Sequence, residues 1–172
     1  TENKASDTLK NSDTGIIGDA KVEVTPPAVR KLPPMPSLVR STETAITIDP
    51  AFKKIVLERL ESAITALKKD PKSMDNWISL GIQRKSLGDY EGAREAWEYA
   101  KALEPGDVVA WHNLGDLYHF YLKDYPRSEE NWKQTIVLIP AYMQGYRGLY
   151  ELYMYSYKEK ASQIPVILKQ GL

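Results

Sequence analysis

From residue 50 onward the apolar positions recur at three- and four-residue spacing, whereas before it they lie scattered among prolines and polar residues. Phe52, Ile55, Val56, Leu60, Ala63, Ile64 and Leu67 describe one face of an amphipathic helix reaching about Lys69. Asp49-Pro50 is its start signal, with Asp as N-cap and Pro in the first turn, where a missing N–H costs nothing. Lys68 and Lys69 complement the dipole at its other end, and Asp70-Pro71 stops it. Six more helices are predicted near residues 73–87, 90–103, 107–122, 126–139, 142–157 and 160–171. Gly88-Asp89, Glu104-Pro105-Gly106-Asp107 and Lys123-Asp124 with Pro126 supply the breaks between them. Pro165 lies too deep for a long last helix, which is therefore expected to begin late, around Ser162, with Pro165 in its first turn.

The helices come in a repeating pair. Trp77-x₂-Leu80-Gly81 recurs as Trp111-x₂-Leu114-Gly115, 34 residues later. The first copy continues with Gly88, Tyr90, Ala93, Trp97, Ala100 and Pro105. The second continues with Tyr118, Tyr125, Ser128, Trp132, Thr135 and Pro140, one residue being added in the turn inside the hairpin. A weaker third copy begins at Tyr146, with Leu149, Tyr150 and Tyr153; Tyr150 stands where the small Gly is expected, and no aromatic matches Trp97. A period of about 34 residues with this content reads as stacked helical hairpins. Pro71 precedes Trp77 as Pro105 precedes Trp111, so the helix from residue 50 stands where the second helix of an incomplete preceding repeat would stand.

Over roughly residues 72–172 the chain resembles the tetratricopeptide repeat family. The resemblance implies an all-α, right-handed α-solenoid of antiparallel helix hairpins, about three repeats plus an N-terminal capping helix. Gly81 with Ala93, and Gly115 with Ser128, are expected where the two helices of a hairpin cross, since small side chains let backbones approach. Trp77, Trp97, Trp111 and Trp132 are expected in the core, each contributing about 3–5 kcal/mol by the usual cost of truncation. Because no hairpin buries its apolar face alone, stability must come from stacking.

Residues 1–48 form a separate region, ahead of the repeat domain 49–172. Pro26-Pro27 and Pro33-Pro34-Met35-Pro36 favour extended, polyproline-like chain. One reading is a disordered or semi-rigid linker. The other is an assembly arm, because a spacer does not need Leu32, Met35, Leu38 and Val39. Burying those four would remove about 300 Å² of apolar surface, worth about 7 kcal/mol at ~25 cal/mol per Å². Ordering a dozen residues at about 1–2 kcal/mol each costs more. The arm is therefore expected to be mobile in a monomer and ordered only in an assembly.

Composition narrows the function. Acidic and basic residues are equal in number, 23 each, which gives no long-range attraction to nucleic acid or an anionic membrane. The absence of cysteine excludes disulfides, thiolate nucleophiles and cysteine zinc sites. No apolar run approaches the roughly 20 residues that span a bilayer. A chain opening on Thr1 is read as processed or trimmed, with membrane contact only through a removed upstream anchor. The extracytoplasmic side is favoured over the cytoplasm on that ground.

By analogy with the family, the first helix of each hairpin lines a concave groove. That places Ile78, Ile82 and Lys85 there from the first copy, His112, Asn113, Asp116, His119 and Phe120 from the second, and Arg147, Glu151 and Tyr155 from the third. Family members that grip a chaperone's C-terminal carboxylate carry Lys and Asn where this chain has Ile78 and Ile82, so that clamp is not expected. His112, Asp116 and His119 share a face at spacings of four and three, which would suit zinc if Glu151 or water completed the set. Solvated groove residues, or partners for Asp116 and Glu151, are the favoured reading of the two histidines. No phosphate loop or nucleophile elbow occurs, so neither metal, cofactor nor catalytic residue is assigned. The expected function is a non-enzymatic interaction module binding a protein or peptide ligand in its groove. The alternative is a structural subunit that binds other copies of itself through solenoid stacking and the arm.

Overall fold

The computed structural model describes residues 32–41 and 46–171, and the described residues form helices and turns without a strand. In chain order the helices are α1 Pro50–Lys69, α2 Met74–Ser86, α3 Tyr90–Leu103, α4 Val108–Leu117, α5 Tyr125–Leu138, α6 Met143–Glu151 and α7 Ile164–Gln170. Each packs on its neighbours in sequence, so the chain is an α-solenoid of helical hairpins α2/α3, α4/α5 and α6/α7, with α1 covering the first. The start signals act as their chemistry requires. Asp49, Ser73, Asp89, Asp107 and Asp124 each accept a backbone N–H of the helix they precede.

Three hydrogen bonds prove the repeat register. Trp77 Nε1 donates to the Pro71 carbonyl at 2.9 Å, Trp111 Nε1 to Pro105 at 2.9 Å, and Tyr146 Oη to Pro140 at 3.0 Å. In each copy an aromatic six residues past the proline ties the incoming turn to the first helix. Tyr146 thus replaces an indole without losing the bond.

Inside the first hairpin, an indole fills the space that Gly81 leaves on α2. A Cβ on Gly81 would overlap the Trp97 indole, whose Nε1 donates to the Ile78 carbonyl at 3.1 Å. The glycine makes room for an indole, and Ala93 is buried beside it. At Gly115 the same gap receives Trp132, while Ser128 Oγ donates to the Gly115 carbonyl at 2.8 Å.

The added residue of the second copy is absorbed by winding rather than by a longer loop. α4 ends in a π turn, Tyr118–Leu122, closed by Asp124 N donating to Tyr118 O at 2.9 Å. Lys123 caps it at φ +57°, the place that Gly88 occupies at φ +81° in the first hairpin. A second π turn, Leu152–Ser156, follows α6. The last helix begins late, as expected: a 3₁₀ segment, Lys158–Gln163, precedes α7, which starts at Ile164, two residues past Ser162, with Pro165 in its first turn. Ile167, 35 residues beyond Trp132, is buried where the missing aromatic would stand.

Two clusters make up the core. The larger runs from Val56 on α1 through both helices of the first hairpin to Tyr118. The smaller gathers Trp132, Ile136, Tyr146, Leu149, Leu152, Tyr153 and Ile167.

Segment 32–41 lies in extended form against its own repeats. Arg84 Nη2 donates to the Ser37 carbonyl at 2.6 Å, Arg40 pairs with Asp89 and Glu95, and Leu38 packs against the larger cluster. These polar contacts within one chain add to the apolar burial on which the expectation for the arm was built. Leu32, Met35 and Val39 do remain exposed, and the two arginines carry the attachment. Residues 1–31 and 42–45, including most of the proposed linker, lie outside the described residues.

Candidate functional site

The sequence-predicted residues fall in three rows: along α2, along α4 into the π turn Tyr118–Leu122, and along α6 into the π turn Leu152–Ser156. The first two rows are joined directly. Lys85 Nζ on α2 meets Asp116 Oδ2 on α4 at 2.8 Å, and the same ammonium lies 4.9 Å from the ring centre of Tyr121. In the third row Arg147 Nε donates to Glu151 Oε1 at 3.0 Å. The surface charges of these rows are therefore used on one another, at the modest value of part-exposed pairs.

Apolar side chains stand open between them. Ile82 and Phe120 are each 44% exposed, and Tyr155 is 67% exposed. Val109 and Met154 add to the same rows, and Asn113 is half-buried. Tyr121, its ring tilted against Tyr90 at 4.6 Å between centres, was not among the predicted residues. It falls in the π turn, where straight α-helical spacing assigns the wrong face.

Two predicted residues are not open. Ile78 belongs to the larger core cluster. His119 is 1% exposed: its Nε2 lies 2.8 Å from Ser156 Oγ and its ring stacks on Phe120 at 3.9 Å. Its Nδ1 is buried with no hydrogen-bond partner among the described residues. The physical reason is again the π turn, which rotates His119 inward toward the second π turn after α6.

His112 points elsewhere. Its Nδ1 lies 3.0 Å from Tyr142 Oη, and its ring meets Trp132 edge-on at 5.0 Å. The His–Asp–His face therefore divides among Tyr142, Lys85 and Ser156, and among the described residues no group of three His, Cys, Asp or Glu side chains is placed to hold a metal ion. Burial lowers the pKa of both imidazoles, with Lys85 and Arg147 adding to it at His112 and Lys123 at His119. Asp116 opposes the shift at both, and Glu151 opposes it at His119. Both shifts favour the neutral ring, in which each imidazole packs and hydrogen-bonds.

What the arrangement offers chemically is a surface of apolar and aromatic anchors set among self-neutralised ion pairs. Such a surface gains by excluding water from a partner's apolar side chains.

No protein-family model matches the chain. Human superkiller complex protein 3 is 31% identical over 64 residues, 37% of this chain and 4% of that protein. The mouse protein of the same name is 31% identical over 61 residues, 36% of this chain and 4% of its own length. The likeness is thus local, just under two repeat periods long, and the chain spans only a small part of the relatives it matches. Those relatives are named as proteins of a complex. No helix among the described residues is long and apolar enough to cross a membrane.

Proposed function

We propose that this chain is a non-enzymatic protein-interaction scaffold of tetratricopeptide type, binding a peptide or protein segment along the rows from α2, α4 and α6. The observation that carries the reading is the open apolar series Ile82, Phe120 and Tyr155, running from one repeat to the next between ion pairs that already satisfy themselves. The local likeness to proteins of a complex agrees with an interaction role. A ligand with apolar residues spaced along an extended or helical segment suits such a series.

Selection of a displayed random-peptide library on the full chain tests it. Enriched peptides should lose at least tenfold in affinity on Phe120→Glu or Ile82→Glu, while circular dichroism and melting temperature stay unchanged. Peptides that bind those variants as well as the parent chain place the ligand elsewhere and overturn the groove.

A second reading, self-association by stacking, is favoured by the two ends of the solenoid. Phe52 and Ile55 on α1 are exposed, and at the far end Met143, Tyr150 and Leu168 border an apolar cleft of about 210 Å³. Light scattering should then show concentration-dependent growth that Leu168→Glu abolishes; a monomer at all concentrations removes this reading.

A further inference from the structure

The attachment of segment 37–40 has the features of a peptide complex. The chain bends at Leu38, where Ser37 Oγ accepts from Val39 N at 3.2 Å: Leu38 turns to the core, Val39 is 82% exposed, and Arg40 reaches back to the protein. Arg40 donates Nε and Nη2 to the two oxygens of Asp89 at 2.7 and 3.0 Å, and Nη1 to Glu95 at 3.0 Å. This is the fork geometry that makes Arg recognition specific. The main chain is read as well. Arg84, 2% exposed, spends its guanidinium on two carbonyls, Ser37 of the segment and Gly92 of α3. Gly92 leaves room for the Asp89–Arg40 pair, since a Cβ there would overlap Asp89 Oδ2 and stand 2.7 Å from Arg40 Nε.

The fit is nevertheless incomplete. Beside Leu38 a cleft of about 160 Å³ stays open, bordered by Leu60, Ile64, Leu87 and Arg84. The polar half of the seat is fully engaged, and the apolar half is underfilled.

We propose that this edge of the first hairpin is a second peptide-binding site, separate from the α2/α4/α6 rows. Its ligand is a segment of a partner protein carrying a bulky apolar residue followed two positions later by Arg, and Ser37–Arg40 is the chain's own, smaller occupant. The tethered segment acts at the high effective concentration of a short linker, in the millimolar range. An incoming segment displaces it by filling the cleft that Leu38 leaves open. A partner lacking either the bulky apolar residue or the arginine loses this advantage.

The test uses the full chain and a fluorescent peptide of residues 34–41. In anisotropy titrations the peptide should bind a Leu38→Ala/Arg40→Ala chain at least tenfold more tightly than the parent, whose seat is occupied. A peptide with Phe in place of Leu38 should bind several-fold more tightly still. Glu95→Lys, added to the Leu38→Ala/Arg40→Ala chain, should weaken the parent peptide at least tenfold, and a peptide bearing Arg40→Glu should recover affinity for it. Should the doubly substituted chain fail to fold, the single charge swaps in the full chain decide. Arg40→Glu and Glu95→Lys should each lower the melting temperature, and together restore it. Undetectable binding, equal binding to occupied and emptied chains, or indifference to Glu95→Lys overturns the proposal. A parent chain that dimerises with its seats filled in exchange would assign the site to a second copy and also overturn the partner ligand.

Discussion

The first and last hairpins obey the same sequence period but are held together differently. In α2/α3 both indoles have acceptors, Trp77 on Pro71 and Trp97 on Ile78, and Gly81 lets the second indole lie against the first helix. In α6/α7 the first aromatic bond survives through Tyr146, but α7 has seven residues against fourteen in α3, and Ile167 replaces the indole. A polar network ties the π turn after α6 to α5: Tyr153 Oη donates to Glu129 Oε1 at 2.7 Å, and Lys133 pairs with the same carboxylate. Burial raises the Glu129 pKa, but the bonds from Lys133 and Tyr153 outweigh it and hold the carboxyl below its usual range. The middle hairpin is transitional, since Trp132 is buried with its Nε1 lacking an acceptor among the described residues. The half of the repeat governed by chain-local geometry, proline to aromatic over six residues, persists in all three copies. The half that depends on a neighbouring helix erodes toward the C-terminal end.

The sharpest way to break this comparison is Trp97→Ala, expected to cost about 3–5 kcal/mol and to unfold the repeats from α1 to α4 together. A denaturant titration showing less than 2 kcal/mol lost would place the stability elsewhere. Gly81→Leu should cost about 3 kcal/mol by forcing the Trp97 ring from its place, whereas Ile82→Ala, one position on, should change melting by under 1 kcal/mol. The reverse order in thermal melts would exchange the packed and open faces of α2. Ile167→Ala should cost about 2 kcal/mol, but locally. Hydrogen exchange should quicken in α6 and α7 and stay unchanged in α2 and α3.

Acidity sharpens the comparison further. The His119 pKa is lowered in the folded state by burial, then by Lys123, against an ordinary value of 6.5. The unfolded chain therefore binds the proton more readily, and stability is full above about pH 6.5 and falls as pH drops toward the folded-state pKa. The loss should appear first where the two π turns meet, and His119→Gln should reduce it in melts between pH 7.5 and 5, leaving the contribution of His112. A slope unchanged by His119→Gln would show that other groups govern it. The smallest effect is at the hairpin turns. Lys123→Gly, relieving a left-handed φ of +57°, should gain about 0.5 kcal/mol, while Gly88→Ala should lose about 1 kcal/mol.

Much of this architecture is legible in residue order because its causes are short in range. Asp49, Ser73, Asp89, Asp107 and Asp124 cap helices within three residues of themselves, and Trp77 and Trp111 bond prolines six residues earlier. Periodicity finds such features since every participant lies within one or two helical turns. The candidate groove was legible only in part. Ile82, Phe120 and Tyr155 are exposed, but the π turn at Tyr118–Leu122 shifts the register by a fraction of a turn, burying His119 and presenting Tyr121.

Three outcomes belonged to the tertiary structure alone. Whether Gly81 faces Ala93 or an indole depends on how a ring settles across two helices. Whether segment 32–41 attaches depends on Arg40 reaching Asp89 and Glu95, 49 and 55 residues away. Whether His112, Asp116 and His119 converge depends on Lys85, Tyr142 and Ser156 competing for them. Residue order determined the helices, their caps and the pairing of neighbours, because those follow from local backbone geometry and the burial of one apolar stripe. The choice of partner for each polar and aromatic side chain was settled only by packing, where distant groups compete for the same few ångströms and the best-satisfied arrangement wins.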